Sequence, residues 1–341
     1  MLLMGIETSC DDTSVSIYDS KKGILCNNVC TQKIHSKYGG IVPELAARNH
    51  IKKIIPLIKK SLFKINKNLN DINAIAYTAG PGQINSLIIG AIVSNTIAFS
   101  LNIPIIPVNH MEGHLFSIML QKQKPSFPFI GLLISGGHTQ LIYVYKFGKY
   151  KILGKHIDNA VGETLDKISK LLGLKYPGGK NLSQLSQFGI PKKFIFPRPM
   201  TLEKNNLNFS FSGLQTFVKN IIKKNDLNNF QIKANIAYAF EDAIINTLYI
   251  KSFWALKKYN IKQLVIAGGV SANKKLRNFF YKNLKKNNIK LFYSYKKLCT
   301  DNAGMIAYVG VKKFFLEKKK YISNNFNILV NPKLSFKDNF L

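Results

Sequence analysis

Acidic residues are scarce in this chain: 17 Asp and Glu stand against 49 Lys and Arg, for a formal net charge of +32. A charge of that size draws polyanions at low salt, and nucleic acid is the natural partner. It is mostly Lys, spread beside abundant Asn and Ile as in Lys59-Lys60, Lys223-Lys224 and Lys318-Lys-Lys320. Compositional drift toward a few residue types produces the same pattern. Cysteine is scarce too. Cys10, Cys26, Cys30 and Cys299 have no zinc-ribbon spacing, which points to a reducing cytoplasm. A secretory leader is not expected, because Glu7, Asp11 and Asp12 interrupt the first apolar run and no basic start or small-residue cleavage site frames it. Charge is missing altogether from Ile72 to Met111, yet Pro81, Gly82, Asn85, Asn95, Asn102, Pro104 and Pro107 break that stretch. It therefore reads as strand, Gly loop, buried helix and strand, with no membrane span.

What is present suits a globular protein. The 341 residues are 46% hydrophobic and 11% aromatic, enough for one large core or two. Their focus is Val108-Asn-His-Met-Glu-Gly-His114, two histidines four residues apart behind the apolar run Ile103 to Val108. On a helix, His110 and His114 lie one above the other, close enough to share one metal ion. The best third ligand is Asp301, in Cys299-Thr-Asp-Asn-Ala-Gly-Met305, where an acidic turn opens a helix. Two His and one carboxylate leave positions open for substrate, as suits Fe(2+) and also Zn(2+).

The chain reads as one pattern used twice. Residues Leu2 to Tyr18 form a strand, the polar turn Glu7-Thr-Ser-Cys-Asp-Asp-Thr13 and a second strand; Phe129 to Tyr145 repeat this around Ser135-Gly-Gly-His-Thr139. Gly5 matches Gly131, Ser9 matches Ser135 and Thr13 matches Thr139, all at an offset of 126 residues. The first half continues with strand Ile24 to Thr31, a helix from Val42 to Leu62, strand Ala74 to Tyr77, the loop Ala79-Gly-Pro-Gly82, a helix to about Ser100 and strand Ile103 to Val108. The second continues with strand Lys151 to Gly154, helix Gly162 to Leu172 and an insertion from Lys175 to about Asp226. Helix Ala234 to Lys258, strand Gln263 to Ala267, the loop Gly268-Gly-Val-Ser-Ala-Asn273, helix Lys274 to Lys286 and strand Leu291 to Tyr295 complete it. This predicts an α/β protein of two similar lobes, 1–127 and 128–302 with the insertion at 175–226, a central cleft for phosphates, and a C-terminal helix at about 303–336 that returns to the first lobe. Within such lobes the hairpin turns offer N–H and hydroxyl groups to an anion. Asp11 or Asp12 then sits near phosphate and metal, Asn273 and the Gly268-Gly269 loop lie against a base or ribose, and Asp166 accepts from sugar hydroxyls.

The motifs Gly5-Ile-Glu-Thr-Ser-Cys-Asp11, Gly39-Gly-Ile-Val-Pro-Glu-Leu-Ala46, His110-Met-Glu-Gly-His114, Ser135-Gly-Gly-His-Thr-Gln140, Tyr176-Pro-Gly-Gly179, Phe209-Ser-Phe-Ser-Gly213, Gly268-Gly-Val-Ser-Ala-Asn273 and Cys299-Thr-Asp-Asn302 resemble, in order and over nearly the whole chain, the TsaD family. These are the tRNA N6-adenosine threonylcarbamoyltransferases, formerly called O-sialoglycoprotein endopeptidases. The resemblance implies the actin/Hsp70/sugar-kinase (ASKHA) fold with two ribonuclease-H-like lobes. It also implies transfer of threonylcarbamoyl from threonylcarbamoyl-AMP to N6 of adenosine 37 in tRNAs that read codons beginning with A. Carried over by position, it makes His110, His114 and Asp301 the metal ligands and assigns the adenylate to Leu133, Ile134, Ser135, Gly136, Gly137, Asp166, Gly179 and Asn273. Asp11 stands near the reacting group, where a base is needed late in the attack of the adenine amine. The implied partners are the tRNA anticodon loop, a smaller metal-free TsaB-like paralogue bound through the first lobe, and a TsaE-like P-loop ATPase. Helix Val42 to Leu62, with Ile54, Ile55 and Ile58, is the expected contact for the paralogue, unless those residues serve the chain's own core.

The chain departs from the family pattern in places. Asp12 replaces the usual Glu, Asn109 stands where relatives often carry His, Asn159 where an acid is common, Gln215 where Lys is common, and Gln83-Ile84 follow Gly80-Pro-Gly82. A zincin-type peptidase needs Glu directly after the first His, and Met111 holds that place. A sugar kinase or ATPase of the same fold and a non-catalytic scaffold are the remaining alternatives; the His pair argues against both.

Overall fold

A computed structural model describes residues 1–322 and 327–336, with ten strands in two five-stranded sheets among them. Two compact units divide the chain: Met1–Lys122 with Tyr295–Leu341, and Gln123–Ser294.

The first unit begins with β1 (Leu2–Glu7), β2 (Asp12–Asp19) and β3 (Gly23–Thr31), then α1 (Pro43–Lys64), β4 (Ala74–Gly80), α2 (Ile84–Leu101), β5 (Ile105–Asn109) and α3 (His110–Phe116). Its sheet order is β3-β2-β1-β4-β5. β1 is antiparallel to β2 and parallel to β4, so one end of the sheet collects the turn after β1 and the end of β5. The second unit holds β6 (Phe129–Ile134), β7 (Thr139–Lys146), β8 (Lys149–Lys155), α4 (Val161–Leu171), α5 (Gly178–Ser186), α6 (Ser212–Lys223), α7 (Phe230–Lys258), β9 (Gln263–Ala267), α8 (Lys274–Lys285) and β10 (Lys290–Tyr293). Its sheet, β10-β9-β6-β7-β8, runs through the same connections as the first. The period-2 alternation of each hairpin and the apolar parallel strands behind it thus build the same sheet twice.

After β10 the chain rejoins the first unit through α9 (Lys296–Cys299), α10 (Ala303–Leu316) and α11 (Lys318–Ile322). Residues 295–302, Asp301 among them, therefore belong to the first unit and not to a second lobe ending at 302. The reason lies in small residues. A Cβ on Gly5 would fall 2.5 Å from the Ala303 oxygen, and one on Gly310 would fall 2.4 Å from the Ala76 Cβ, so α10 lies directly on β1 and β4. The single helix expected at 303–336 ends at Leu316 instead; positions 323–326 lie outside the described residues. Residues 327–336 run without helix along the end of β4, where Asn331 N–H donates to the Ala79 carbonyl at 2.8 Å.

Two helices explain how the first unit shapes its turn. Helix α2 is long and apolar enough to cross a membrane, yet Leu87, Ala91, Asn95 and Ala98 are buried in the fold, and Gly90 lies against the Thr8 side chain. On α1, Ile54 is 1% exposed and Ile58 2%, whereas Ile55 is 44% exposed. Ile54 and Ile58 are core residues, each contributing about 2 kcal/mol of apolar burial, and cannot serve a partner. The outward large apolar residues of this pair are Ile51, Ile55 and Phe63 on α1 and Ile84, Ile92 and Phe99 on α2.

Candidate metal centre and nucleotide loops

The strand β5 ends where Asn109 turns the chain into α3, its side-chain oxygen accepting from the N–H groups of Met111 and Glu112. That cap starts the helix at His110 and so sets the two histidine rings on one face, 4.6 Å apart and nearly perpendicular. Asn302 caps α10 in the same way, accepting from Met305 N–H, and leaves Asp301 in the turn before it. The Asp301 Oδ1 lies 3.0 Å from His114 Nε2 and 3.4 Å from His110 Nε2. The donor atoms of all three residues fall within 4.8 Å of one another. Two imidazole nitrogens and one carboxylate oxygen converging on a point fit a divalent ion with open positions.

Glu7 completes the arrangement. Completely buried at the end of β1, it accepts from His110 Nδ1–H at 2.9 Å, from Ser9 N–H at 2.5 Å and from Thr78 Oγ1 at 2.5 Å. This holds the His110 ring through Nδ1 and turns its Nε2 toward Asp301. Burial works against charge on His110, but the Glu7 and Asp301 carboxylates outweigh it and lift the imidazole pKa to about 10 in the absence of an ion. Burial likewise opposes the Asp301 carboxylate, and the two histidines outweigh it and hold it well below the usual range. Among the described residues His114 Nδ1 is buried without a hydrogen-bond partner, so the Nε2 contact with Asp301 and the surrounding packing set that ring. Sequence reasoning missed Glu7 as a working residue. Its signal was an acid inside a strand of otherwise apolar residues.

Asp11 follows in the turn between β1 and β2 and Asp12 opens β2, both partly buried. Burial, then the Asp301 charge, raises the Asp11 pKa. Burial carries Asp12 to about 7 against the opposing hydrogen bond of Thr31. A carboxylate raised in this way is a better proton acceptor than a free one. Glu112, one residue beyond the place a peptidase base would take, is buried and paired with Lys313 at 3.4 Å.

In the second unit, Leu133 and Ile134 end β6, and Ser135, Gly136 and Gly137 form the turn into β7. Among the described residues, and apart from the chain neighbours, no atom lies within 4 Å of a Cβ built on Gly136 or Gly137, so the backbone is open to a ligand on that side. The base of the turn is closed: Ser135 N–H donates to the His138 carbonyl at 2.8 Å and Glu163 N–H to the Gly136 carbonyl at 2.9 Å. Gly268, at φ 89° and with its missing Cβ 2.4 Å from the Ile134 oxygen, brings the β9 loop against the same turn. Asp166 on α4 accepts from Gly178 N–H at 2.9 Å and Gly179 N–H at 3.2 Å through one oxygen, which fastens α4 to the first turn of α5. Asn273 caps α8 through its oxygen and donates its amide to Glu241 at 2.7 Å. The structure thus brings Leu133 to Gly137, Asp166, Gly179 and Asn273 into this one unit, and the triad with Asp11 into the other.

A twice-built five-stranded α/β sheet is the actin/Hsp70/sugar-kinase architecture, and solved structures agree. The chain is similar to HypF from T. kodakarensis (TM-score 0.61, 15% identity, 93% of this chain and 48% of that one). It is also similar to the activator of 2-hydroxyisocaproyl-CoA dehydratase from Clostridium difficile (TM-score 0.54, 12% identity, 94% and 98%). At such identities they establish the fold. The family model of TsaD, tRNA N6-adenosine threonylcarbamoyltransferase, matches residues 23–308. Proteins of that name from Buchnera aphidicola subsp. Baizongia pistaciae (53% identical, covering 98% of both chains) and Wigglesworthia glossinidia brevipalpis (51%, covering 99% of this chain and 98% of that one) are close relatives. The chain belongs to the tRNA N6-adenosine threonylcarbamoyltransferase family.

Proposed function

We propose that the chain performs its family's reaction, moving threonylcarbamoyl from threonylcarbamoyl-AMP to N6 of adenosine 37 in tRNAs that read codons beginning with A. The observation that carries this reading is the convergence of His110, His114 and Asp301 with Glu7 behind them. The three would hold one divalent ion, Fe(2+) or Zn(2+), which when bound supplies a Lewis acid for charge growing on carbonyl and phosphate oxygens. The open Ser135–Gly137 turn, Asp166, Gly179 and Asn273 bind the adenylate, whose mixed anhydride already carries a good leaving group. Asp11 accepts the proton of the exocyclic amine. The tRNA must present that base unstacked, since the amine is unreachable in a stacked loop.

The exposed apolar residues of α1 and α2 suit a TsaB-like paralogue, and multiple turnover calls on a TsaE-like P-loop ATPase. All of this takes place in the cytoplasm. The test is direct. The purified chain, with and without paralogue and ATPase, is incubated with threonylcarbamoyl-AMP and unmodified tRNA, and modified adenosine is sought by mass spectrometry. Product that disappears with His110→Ala supports the assignment. Adenylate binding without product in every combination overturns it in favour of a scaffold.

A further inference from the structure

We propose that His50 is a positioning residue for Asp11: from α1 it grips the peptide that carries Asp11 and sets the direction of that carboxylate. The proposal rests on the reading of Asp11 as the proton acceptor. His50 is buried, and both ring nitrogens are engaged: Nε2 lies 2.8 Å from the Cys10 carbonyl oxygen and Nδ1 lies 2.8 Å from Thr13 Oγ1. A carbonyl only accepts, so Nε2 carries the proton and Nδ1 accepts from the threonine hydroxyl. That leaves one neutral tautomer, and burial keeps the ring neutral by lowering its pKa.

The two contacts bracket the acids, one just before Asp11 and one just after Asp12. The Cys10 carbonyl shares a rigid peptide plane with the Asp11 N–H, so fixing the carbonyl fixes the orientation from which the Asp11 side chain departs. A weaker second donor to the same oxygen is Ser86 Oγ at 3.1 Å, from α2, and Gln83 N–H holds the preceding Ser9 carbonyl at 2.8 Å. Helices α1 and α2 therefore hold the turn from two sides. The imidazole alone spans it.

Two variants separate the contacts. In His50→Gln the amide nitrogen reaches the Nε2 position and still donates to Cys10. In His50→Asn the amide oxygen overlies Nδ1 and serves Thr13, but Cys10 is released. With threonylcarbamoyl-AMP and tRNA as substrates, His50→Asn should lower kcat about 10- to 100-fold through misplacement of the acid. KM for the adenylate and the metal content should stay unchanged, and His50→Gln should stay within about threefold of the parent. Ser86→Ala should give a smaller loss of the same kind, which keeps the idea testable if His50→Asn folds poorly. In an Asp11→Asn background, His50→Asn should cost nothing further, since it acts through the missing carboxylate. Parental kcat in His50→Asn, a loss that tracks lost metal, or fully additive penalties would each overturn the positioning role. Parental kcat in Asp11→Asn alone would instead overturn the role of Asp11 itself.

Discussion

The Asn159 side-chain amide donates to Oε1 of Gln215 at 3.0 Å, so two of this chain's departures from its family are partners of each other. An acid at 159 and a lysine at 215, the residue types the family resemblance leads one to expect, would meet as an ion pair where this chain has a neutral amide pair. The amide pair gives the Asn159 N–H group an acceptor. Gln215→Ala leaves the Asn159 amide without its acceptor and should cost about 1 kcal/mol in denaturant melts. Asn159→Asp with Gln215→Lys should be less destabilising than the sum of the single changes, by several tenths of a kcal/mol or more. Strict additivity would show that the two side chains do not interact in solution.

Glu7→Gln tests the support behind the metal triad. The carboxylate accepts from three donors, and an amide in its place presents N–H to at least one of them. His110 then loses the charged partner that fixes its tautomer. Affinity for Fe(2+) or Zn(2+), measured by chelator competition, should fall about 10- to 100-fold, while His114→Ala should remove binding outright. Unchanged affinity in Glu7→Gln would mean that the Glu7 charge does not support the site.

Much of this was legible in the chain, for reasons that particular residues make plain. The offset of 126 residues survives in the structure: β1, β2 and β3 are repeated as β6, β7 and β8 in mirrored places of two sheets. Hairpin alternation and turn chemistry are local, so they can be read locally. His110 and His114 needed only a helix, and Asn109 starts one. What escaped depends on partners distant in sequence. Glu7 meets His110 across 103 positions. The return of α10 depends on Gly5 and Gly310 being small, which no periodicity announces. Ile54 and Ile55 look alike in sequence, and only the packing of α1 sends one inward and the other outward.

Asp158 gives the second unit an acid-sensitive clasp. Burial pushes its carboxyl up, but hydrogen bonds from Ser210 Oγ, Ser212 Oγ and Phe211 N–H, with Asn159 N–H, hold it down to about 2. An unfolded Asp titrates near ~3.9. The folded value is the lower one, so the contribution to stability is complete above pH ~4 and is lost as pH falls toward ~2. Because the group is exposed to solvent, the effect should be on the order of 1 kcal/mol or less. Melting temperatures across that range should converge for the parent and Asp158→Asn in acid and separate above pH ~4. A constant gap at all pH values would show that the clasp is not ionic.

The outward faces of α1 and α2 lead to the last prediction. Ile51, Ile55 and Phe63 stand exposed on α1, and Ile92 and Phe99 on α2, which packs beside it. Exposed aliphatic and aromatic side chains grouped on paired helices suit a partner that buries them, with a few anchors supplying most of the affinity. Ile55→Asp or Phe99→Asp places a charge in that face without touching the triad. If the proposed TsaB-like paralogue docks here, each should weaken the heterodimer by about 30-fold or more, since one anchor contributes about 2 kcal/mol. Sedimentation equilibrium of the mixed proteins reads this directly, and metal content should stay at the parental level. A heterodimer of undiminished affinity in both variants would move the contact to another surface and leave these residues unexplained.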